Sequence, residues 1–541
     1  MTRAPRLLAP LLACLALAAP ARADEWPMQL PGDATAASVR SDPDTWIVGA
    51  RPGAPAAAIA RRYGASHIGL GGYTVPIRRA RAMAGALRAR GLLVYAQPNV
   101  YVQPAQVADD PLSGPPNAWR KVVADPSLNP PPVTPTSPLI AVVDAAADTT
   151  HPEWTNDPNF TTSAPGTPIT NLHGTATAAV AAAPANGIGI LGVWPGARAL
   201  NVPLSTAGAS DADSFTCASS GKAIAQAIAA GAAVINMSYG SDTLCAPEKV
   251  QIFYGVARGV IPVAAAGNEF EQGNPLEYPA NLPHVITVAA TDSSDRSAEF
   301  SNANDWVDLS APGVSIETAV PAALDDDGTK DGYEALSGTS FSAPMVSAAM
   351  AWVRAARPDL QPDQVEQAVR LSARDVGRKG WDSLTGFGVL SVGSALGIPS
   401  AKLPAHDPGE PNDNISWVNG QAFGAPSPAV WSGRGHARLD ALLDKEEDPV
   451  DVYRIVVPAH RKAHLAAVPR FGDVQLEVFN SGATSVNDMP HRIANSHRSG
   501  SKRTEHATVV NRGRLAHVYY AMVSPQGRSA FQDRRYSLKV S

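Results

Sequence analysis

The sequence predicts an α/β fold built on a doubly wound parallel sheet, preceded by a small α+β domain and followed by a β-sandwich. Three patterns in the 541 residues support this prediction. Between about 110 and 395, continuous apolar runs of strand length alternate with helical stretches, as in a parallel sheet covered on both faces. Strands and helices also alternate before this region. After about 400, apolar and polar residues alternate without helical periodicity, which indicates antiparallel strands packed in a sandwich.

The composition excludes two broad classes of protein. Hydrophobic residues make up 45% of the chain and charged residues 17%, so a sizeable core can be buried and global disorder is excluded. The net charge of −5 is small for this length and argues against nucleic acid as the main partner.

The first residues have the pattern of a secretion signal. Two arginines precede the apolar run Leu7–Ala19, and Ala21-Arg22-Ala23 provides small residues for cleavage. We therefore expect a signal peptide over 1–23 and a secreted protein, extracellular or periplasmic. The apolar run is too short to span a bilayer, and no membrane span is expected. Lipoprotein anchoring at Cys14 is an alternative, although the apolar run continues past that residue.

Residues 24–108 carry the pattern of the small α+β domain. The predicted elements are, in order, the strand Thr45–Val48, the helix Ala56–Tyr63, one or two strands over His67–Ile77, the helix Arg79–Arg90, and the strands Leu92–Tyr95 and Val100–Val102. This β-α-β-β-α-β order is the ferredoxin-like arrangement. Taken alone, the pattern fits any small α+β domain.

Four apolar runs predict central strands of the parallel sheet, namely Leu139–Val143, Ala233–Met237, Val260–Ala264 and His284–Val288. None shows strict alternation of apolar and polar residues, so both faces of each strand are expected to be buried. Ala223–Ala230 predicts a helix before the second of these strands. This alternation of strands and helices is typical of a doubly wound sheet.

The octapeptide Ser337–Pro344 presents a serine just before the apolar helical run Met345–Val353. Ser340 would lie where backbone N–H groups lack partners and the helix dipole is positive, which suits a nucleophile whose reaction creates an oxyanion. A Gly-Thr-Ser alone could be an ordinary helix cap. The whole octapeptide resembles the serine motif of the subtilisin-like serine peptidases (subtilases, peptidase S8 family). This resemblance implies that Ser340 is the nucleophile.

A serine nucleophile needs a base, and the base needs an acid that orients it. His173 opens the run of small residues Ala176–Ala183, and Asp144 ends the strand Leu139–Val143. An isolated histidine or a strand-end aspartate is often structural. Here both segments resemble the subtilase histidine and aspartate motifs, which implies that His173 is the base and that Asp144 orients it.

Two further segments match the family. Asn268 ends an alanine-rich strand, where a simple turn is the alternative, and the resemblance implies that it donates to the oxyanion. Ser238-Tyr239-Gly240 resembles the segment that pairs with the substrate backbone. The order aspartate, histidine, asparagine, serine is the subtilase order and differs from that of chymotrypsin.

The chain departs from the family pattern beside two of these residues. Asp144 is followed by Ala145 and Ala146, where the family usually has Ser or Thr and then Gly. Ala176 stands in place of the usual second histidine after His173. These departures concern the positioning of the acid and the rate, and they leave the identity of the triad unchanged.

The resemblance also implies the domain order. Residues 24–108 would be an inhibitory propeptide, cut between about Gln103 and Asp110. The peptidase domain would cover 109–398, a polar linker 399–412 and the β-sandwich 413–541. Segments of the sandwich resemble the pre-peptidase C-terminal domain of secreted bacterial enzymes, with a generic β-sandwich as the alternative; they are Glu410–Asp413, Asp448–Tyr453 and the strand from Tyr536.

Cys217 and Cys245 remain once the signal is removed, and an even pair in a secreted protein predicts a disulfide, with two free thiols as the alternative. The sequence requires no cofactor. Calcium is possible, as in many members of the family, but no matching residues identify its ligands. The acidic run Asp325–Asp331 lacks the terminal glutamate of an EF-hand, which favours an exposed loop over a calcium site.

The sequence therefore predicts a secreted serine endopeptidase that acts on proteins or peptides through an acyl-enzyme and is inhibited by its own propeptide. Two rival hypotheses are a catalytically weak subtilase fold that binds peptides and a surface-adhesion protein in which the sandwich is the working part. Because no triad residue lies beyond Ser340, a chain ending near Ala395 is expected to keep its activity. The preference for substrate side chains does not follow from the sequence.

Overall fold

The structure is a computed structural model that describes residues 27–32, 41–104, 108–109, 119, 123–124, 128–154, 157–204, 215–407, 409–444, 446, 448–498, 503–526 and 534–541. The predicted signal peptide, including Cys14, lies outside these residues. Within them, no helix is both long and apolar enough to cross a membrane.

The N-terminal domain is an antiparallel sheet with two helices. Its elements are β1 (Ser41–Ala50), α1 (Ala54–Arg62), β2 (Ser66–Gly69), β3 (Gly72–Pro76), α2 (Ile77–Arg88) and β4 (Leu93–Pro104). The sheet order β4-β1-β3-β2 gives the predicted ferredoxin-like arrangement. Two strands were expected where the single strand β4 is found. The polar residues Gln97 and Asn99 interrupt the apolar pattern there, yet both are buried because they hydrogen-bond to the next domain.

Both faces of this sheet are covered. Side chains alternate across a strand, so Trp46 and Val48 of β1 pack against the helices on one face while Ile47 points to the other. Ile47 joins a second apolar cluster that includes Cys217 and Val250 of the following domain. The N-terminal domain therefore docks through an apolar sheet face.

The central domain contains the predicted doubly wound sheet. Its elements are β5 (Ala108–Asp109), β6 (Leu139–Asp144), β7 (Phe160–Thr162), α3 (His173–Ala182), β8 (Ala199–Pro203), β9 (Phe215–Thr216), α4 (Cys217–Ala229), β10 (Ala232–Met237), β11 (Tyr239–Gly240), α5 (Ala246–Val256), β12 (Ile261–Ala265), β13 (Ile286–Thr291), β14 (Val307–Pro312), β15 (Ile316–Ala319), β16 (Tyr333–Ser337), α6 (Thr339–Ala356), α7 (Pro362–Leu371) and α8 (Val392–Gly397). In the described part of the chain, seven parallel strands follow the order β14-β13-β12-β10-β6-β8-β7.

The strand order reverses around β6, since β7 and β8 lie on one side of it and β10 on the other. A crevice at the carboxyl ends of the strands is expected at such a point, and it is where open α/β sheets bind their ligands. Asp144 is the last residue of β6 and Ser238 follows β10 directly. The topology thus brings separate sequence motifs to one edge of the sheet.

The predicted disulfide is present between Cys217 and Cys245. Cys217 is the first residue of α4 and Cys245 is the N-cap of α5, so the bond joins the N-termini of two neighbouring helices. The segment between them includes the short strand β11. The disulfide therefore ties both ends of that segment to the helices.

The C-terminal region contains the predicted β-sandwich. After α9 (Ile415–Val418) come β17 (Ala437–Leu443), β18 (Asp451–Val457), β19 (Lys462–Phe471), β20 (Asp473–Asn480), β21 (Arg492–Ser496), β22 (Glu505–Val510), β23 (His517–Gln526) and β24 (Arg534–Val540). As far as the chain is described, two four-stranded antiparallel sheets have the orders β17-β24-β19-β22 and β18-β23-β20-β21. Inward-facing residues of both sheets form one apolar core.

The segment that the sequence suggested as a polar linker is packed rather than exposed. Asp407, Asn412 and Asp413 are buried. The short helix α9 that follows contacts two cores at once: Trp417 joins the core of the central domain, and Ile415 joins a cluster of the sandwich. Composition alone did not indicate this, because the burial comes from contacts between domains.

Candidate active site

Asp144 and His173 form a buried pair at the carboxyl edge of the sheet. Asp144 ends β6 and His173 begins α3, and the Oδ1 and Nδ1 atoms are 2.7 Å apart. Each side chain is only 2% exposed. Asn171 accepts the His173 backbone N–H through its Oδ1 at 2.6 Å and so fixes the start of α3. The histidine ring is thereby held by an acid on one nitrogen, as the base of a catalytic triad requires.

Thr177 supplies the second contact to the acid, and the sequence analysis missed it. Its hydroxyl lies 3.1 Å from Asp144 Oδ2, while the Ala145 N–H donates to Oδ1 at 2.7 Å. Thr177 lies one turn after His173 on α3, and residues four apart share a helix face. The i, i+4 spacing from His173 could have indicated that Thr177 faces the active site. It could not have shown that its hydroxyl contacts Asp144.

Asn201 holds the loop that contains the two unusual alanines. Its Nδ2 donates to the Ala145 carbonyl at 2.9 Å, and its Oδ1 accepts from the Ala147 N–H at 3.1 Å. Neither Ala145 nor Ala146 has a positive φ, so the glycine that is usual in the family is not needed here. Gly174 is needed, because a Cβ at that position would lie 2.0 Å from the Ala145 carbonyl oxygen.

Ser340 is the second residue of α6 and lies at the same edge. Its Oγ is 3.3 Å from the Ser238 carbonyl, and the Ser238 hydroxyl donates to the Ser340 carbonyl at 2.8 Å. The second bond is possible because Pro344, four residues on, has no N–H for that carbonyl. The next ring, Phe341, lies 5.9 Å from the His173 ring. The starts of α3 and α6 therefore face each other.

The Nε2 atom of His173 is buried and has no hydrogen-bond partner among the described residues. Because Nδ1 is occupied by Asp144, Nε2 is the nitrogen that can exchange a proton with a nearby hydroxyl.

Asn268 lies beside the serine turn. Its Oδ1 accepts from both the backbone N–H and the hydroxyl of Thr339, each at 2.9 Å. The Thr339 hydroxyl also receives the Gly267 N–H at 3.2 Å. These bonds fix the carbonyl end of the Asn268 amide, so the NH2 end is the one that can donate to a substrate oxygen.

The end of β4 and the short strand β5 pair with strands on both sides of the serine. In β11, Tyr239 pairs with Pro104 and Gly240 with Gln103, in antiparallel register. Further along, Ala108 and Asp109 pair with the end of β16, directly before the serine turn. Residues 105–107 lie outside the described part of the chain. The segment predicted to contain the cleavage site is thus bracketed by strands that flank Ser340.

Two amide side chains of β4, which the sequence analysis missed, bond to helix N-termini of the central domain. Gln97 Oε1 accepts the Ala246 N–H at 2.6 Å at the start of α5, and Asn99 Oδ1 accepts the Ala218 N–H at 2.9 Å in α4. The first N–H groups of a helix lack partners within the helix, so these bonds satisfy buried donors.

A cluster of possible metal ligands lies where the central domain meets the sandwich. It consists of two groups that share Asp448, namely His284, Asp413 and Asp448, and Asp407, Glu410, Asp448 and Asp451. Four of these carboxylates have a buried oxygen without a hydrogen-bond partner among the described residues, namely Asp407, Asp413, Asp448 and Asp451. Burial, reinforced by the neighbouring carboxylates, raises the pKa of Asp407, Glu410 and Asp448 well above the usual range. Buried oxygen ligands that repel one another fit a hard divalent cation.

In the acidic run Asp325–Asp331 only Asp325 is buried, and the residues after it are exposed. The Asp325 carboxylate is buried and accepts the Gly332 N–H at 2.8 Å, and this hydrogen bond joins the two ends of the loop 325–332. Asp326 and Asp327 are exposed. The exposed loop expected from the sequence agrees with this arrangement.

Comparisons with known proteins give a consistent result. A family model described as the subtilase family matches residues 123–388. Subtilisin E of Bacillus subtilis is 32% identical over 54% of this chain and 74% of its own length. Fervidolysin of Fervidobacterium pennivorans is 32% identical over 49% of this chain and 41% of its own length, so the matched region spans less than half of that relative. The crystal structure of fervidolysin, described as a keratinolytic enzyme related to subtilisin, covers 89% of this chain and 86% of its own with a TM-score of 0.58 and 18% identity. That structural likeness shows a shared fold.

Proposed function

The chain belongs to the subtilase family, and from this premise we propose that it is a secreted serine endopeptidase that matures by cutting off its own N-terminal domain. Proteins or peptides are the substrates. Asp144, His173 and Ser340 form the catalytic triad, and Asn268 is an oxyanion donor. The observation that carries the proposal is the buried 2.7 Å contact between Asp144 and His173, at a sheet edge that the Ser340 turn shares.

In the proposed reaction, the Ser340 hydroxyl attacks the scissile carbonyl and His173 Nε2 accepts its proton. His173 then returns that proton to the leaving amine, and a water molecule hydrolyses the acyl-enzyme by the same steps in reverse. Asp144 keeps the proton on Nδ1 and stabilises the imidazolium. The Asn268 NH2 and the Ser340 N–H donate to the developing oxyanion, and loss of one such donor lowers kcat about 10²–10³-fold.

The proposed inhibitor is the N-terminal domain, residues 24–108. It is supported by β4, which adds to β11 as an extended peptide would add to a free strand edge. The bonds from Gln97 and Asn99 to two helix N-termini support tight docking. Cleavage between Gln103 and Asp110 would release this domain and open the site.

We also propose that calcium binds the carboxylate cluster at the sandwich junction. Asp407, Glu410, Asp448 and Asp451 would hold it, and the ion would neutralise buried carboxylates of which three have an oxygen without a hydrogen-bond partner among the described residues. The ion would act on stability, since none of these residues belongs to the proposed triad.

A fluorophosphonate probe tests the proposed function directly. The mature protein should be labelled on Ser340 and should hydrolyse short peptide substrates, because an activated serine reacts with both. Peptide mapping by mass spectrometry identifies the labelled residue. A folded mature protein that takes up no label would contradict the proposal and would favour a peptide-binding role.

Thr177→Val should lower kcat about tenfold, with KM little changed, because one hydrogen bond to a charged group is worth roughly 1.5–3 kcal/mol. The valine keeps the shape and removes the hydroxyl that contacts Asp144. The acidic limb of the pH–rate profile should also shift, since the stabilisation of the imidazolium depends on that carboxylate. Thr177→Ser restores the hydroxyl and should restore the rate. Equal profiles for wild type and Thr177→Val would exclude a positioning role for Thr177.

Removing calcium with EGTA should lower thermal stability. The expected loss is about 2.7 kcal/mol relative to protein at a calcium concentration 100 times Kd. Calorimetry with and without EGTA measures it, and Glu410→Gln should reduce the difference. As a matched control, Asp326→Asn changes an exposed acid outside the cluster and should leave the calcium effect intact. An unfolding temperature that is indifferent to EGTA in the wild type would contradict a calcium site.

A further inference from the structure

Glu277 lies directly behind the strand β11 that pairs with the N-terminal domain. The next residue, Tyr278, is joined to Ser241 by two backbone hydrogen bonds of 2.8 and 2.9 Å. This pairing sets Glu277 beside Gly240, so closely that a Cβ on Gly240 would lie 2.5 Å from Glu277 Oε2. The missing side chain at Gly240 therefore leaves the carboxylate reachable from the substrate strand.

A second glutamate approaches the same space from the opposite wall. Gly267 precedes Asn268, and a Cβ on Gly267 would lie 2.8 Å from both Glu269 Oε2 and Glu277 Cγ. Gly267 has a φ of 103°, a conformation that favours glycine. Two glycines, one from each wall, thus make room for two carboxylates in one pocket.

The serine turn contacts both walls of this pocket. Ser340 Oγ is 3.3 Å from the carbonyl of Ser238, which directly precedes β11, and the Thr339 hydroxyl receives the Gly267 N–H at 3.2 Å. The pocket therefore opens beside the nucleophile. A substrate side chain that enters it would therefore lie close to the carbonyl that the serine attacks.

The pocket contains a buried carboxyl group without a partner and a second carboxylate without a cationic partner. Glu277 is 8% exposed, and its carboxylate forms no hydrogen bond or ion pair within the described residues. Glu269 uses its Oε2 to accept the Asn268 N–H at 2.7 Å and the Asn302 Nδ2 at 3.3 Å, and no lysine, arginine or histidine of the described chain pairs with it. A buried carboxylate without a partner is costly, and a cation that enters the pocket would relieve that cost.

We propose that this pocket is the S1 subsite and that the enzyme cleaves after lysine or arginine, whose cationic group binds between Glu277 and Glu269. The proposal rests on the proposed function and adds the substrate class. It differs from an apolar S1 pocket in a way that can be measured, because an uncharged side chain of similar length leaves both carboxylates unpaired.

The N-terminal domain does not provide such a residue at its predicted cleavage site. Between Gln103 and Asp110 the sequence contains no lysine or arginine. Because this segment is attached to the enzyme, its effective concentration is high enough for one slow cut without a matched side chain. A released tail without a cation would leave the pocket open to substrates that carry one.

The first test uses the mature wild type at about pH 9, above the pKa of Glu277, and a peptide series that differs only at the residue before the scissile bond. Lysine and arginine peptides should have kcat/KM values at least about tenfold above methionine and phenylalanine peptides, as expected for a charged hydrogen bond gained in the pocket. A glutamate peptide should be the poorest. Faster cleavage after phenylalanine or methionine than after lysine would overturn the proposal.

The second test changes the pocket itself. Glu277→Gln should lower the ratio of lysine to methionine kcat/KM about 10- to 100-fold, and Glu269→Gln should lower it in the same direction. Asp326→Asn removes one exposed negative charge that does not line this pocket and should keep the wild-type ratio. If Glu277→Gln does not mature, the wild-type series still decides the outcome. An unchanged ratio in a folded Glu277→Gln protein would also overturn the proposal.

A pH series gives an independent readout. Burial raises the pKa of Glu277 to about 8, with Glu269 on one wall and the exposed Asp242 after β11 adding repulsion. Below that pH the neutral acid binds a cation poorly, so the lysine-to-methionine ratio should rise from about pH 7 to 9 and the rise should vanish in Glu277→Gln. A ratio that stays constant across this range would contradict the assignment.

The outcomes separate this inference from the proposed function. If peptides with apolar residues are cleaved best and Ser340 is labelled, the enzyme assignment stands and the S1 assignment fails. If no peptide of the series is cleaved and the fluorophosphonate leaves the folded protein unlabelled, the proposed function fails.

Discussion

Ser340→Ala protein should accumulate with its N-terminal domain still attached and should hydrolyse no peptide at a measurable rate. The substitution removes one buried oxygen, and the backbone contact from the Ser238 hydroxyl to the residue-340 carbonyl is retained. The fold should therefore survive. In subtilisin, loss of the triad nucleophile lowers kcat about 10⁶-fold, and a similar loss is expected here. Without the nucleophile, the scissile bond predicted between about Gln103 and Asp110 should stay intact.

N-terminal sequencing of the purified variant beside wild type measures this, in a host without other subtilases. Ser342→Ala is the matched control, because Ser342 is equally buried in the same turn and its hydroxyl donates only to the Ala311 and Pro312 carbonyls. That variant should mature and be labelled by a fluorophosphonate. A Ser340→Ala chain that begins near Asp110 would show that another protease matures the protein.

The sequence predicted the elements around the active site because each motif is contiguous. Asp144 ends a wholly apolar run, His173 opens a run of small residues, and Ser340 precedes a long apolar helix. Parallel strands end at one edge of their sheet, so residues at those ends meet without any need for side-chain detail. The fold class followed from the same patterns.

Contacts that depend on partners far along the chain could not be predicted. Asn201 bonds to Ala145, and Gln97 bonds to the start of α5. Nothing in the local sequence of either amide identifies its partner, because the pairing arises only when elements pack. Glu277 is similar, since its neighbour Gly240 lies 37 positions earlier and is brought beside it by the pairing of Ser241 with Tyr278.

The junction with the sandwich was misjudged for a related reason. Prolines, aspartates and asparagines around Glu410 are typical of an exposed linker. In the structure these carboxylates are collected into one buried cluster, and His284 of the central domain contacts Asp413 at 2.8 Å. A polar composition is compatible with exposure to water. The segment is nevertheless buried, because the central domain and the sandwich both pack against it.

A chain ending at Ala395 should therefore fail to fold stably, whereas a chain ending at Gly424 should fold and hydrolyse peptides. The Trp417 ring is 1% exposed in the central core and its centroid lies 4.3 Å from that of Phe253. The Lys249 ammonium lies 5.9 Å from the Trp417 ring centroid and would lose this contact. Loss of a buried tryptophan side chain alone costs about 3–5 kcal/mol, a large share of the stability of a domain.

Point variants in the full-length chain isolate this effect. Trp417→Ala should lower the temperature at which fluorophosphonate labelling of the mature enzyme is lost, because its cavity opens in the core that underlies the active site. Trp431→Ala is the matched control, since that ring belongs to the core of the sandwich. It should destabilise the sandwich and leave the temperature dependence of labelling close to wild type. If the chain ending at Ala395 keeps the labelling and thermal stability of the chain ending at Gly424, the Trp417 contact does not matter and the boundary expected from the sequence is correct.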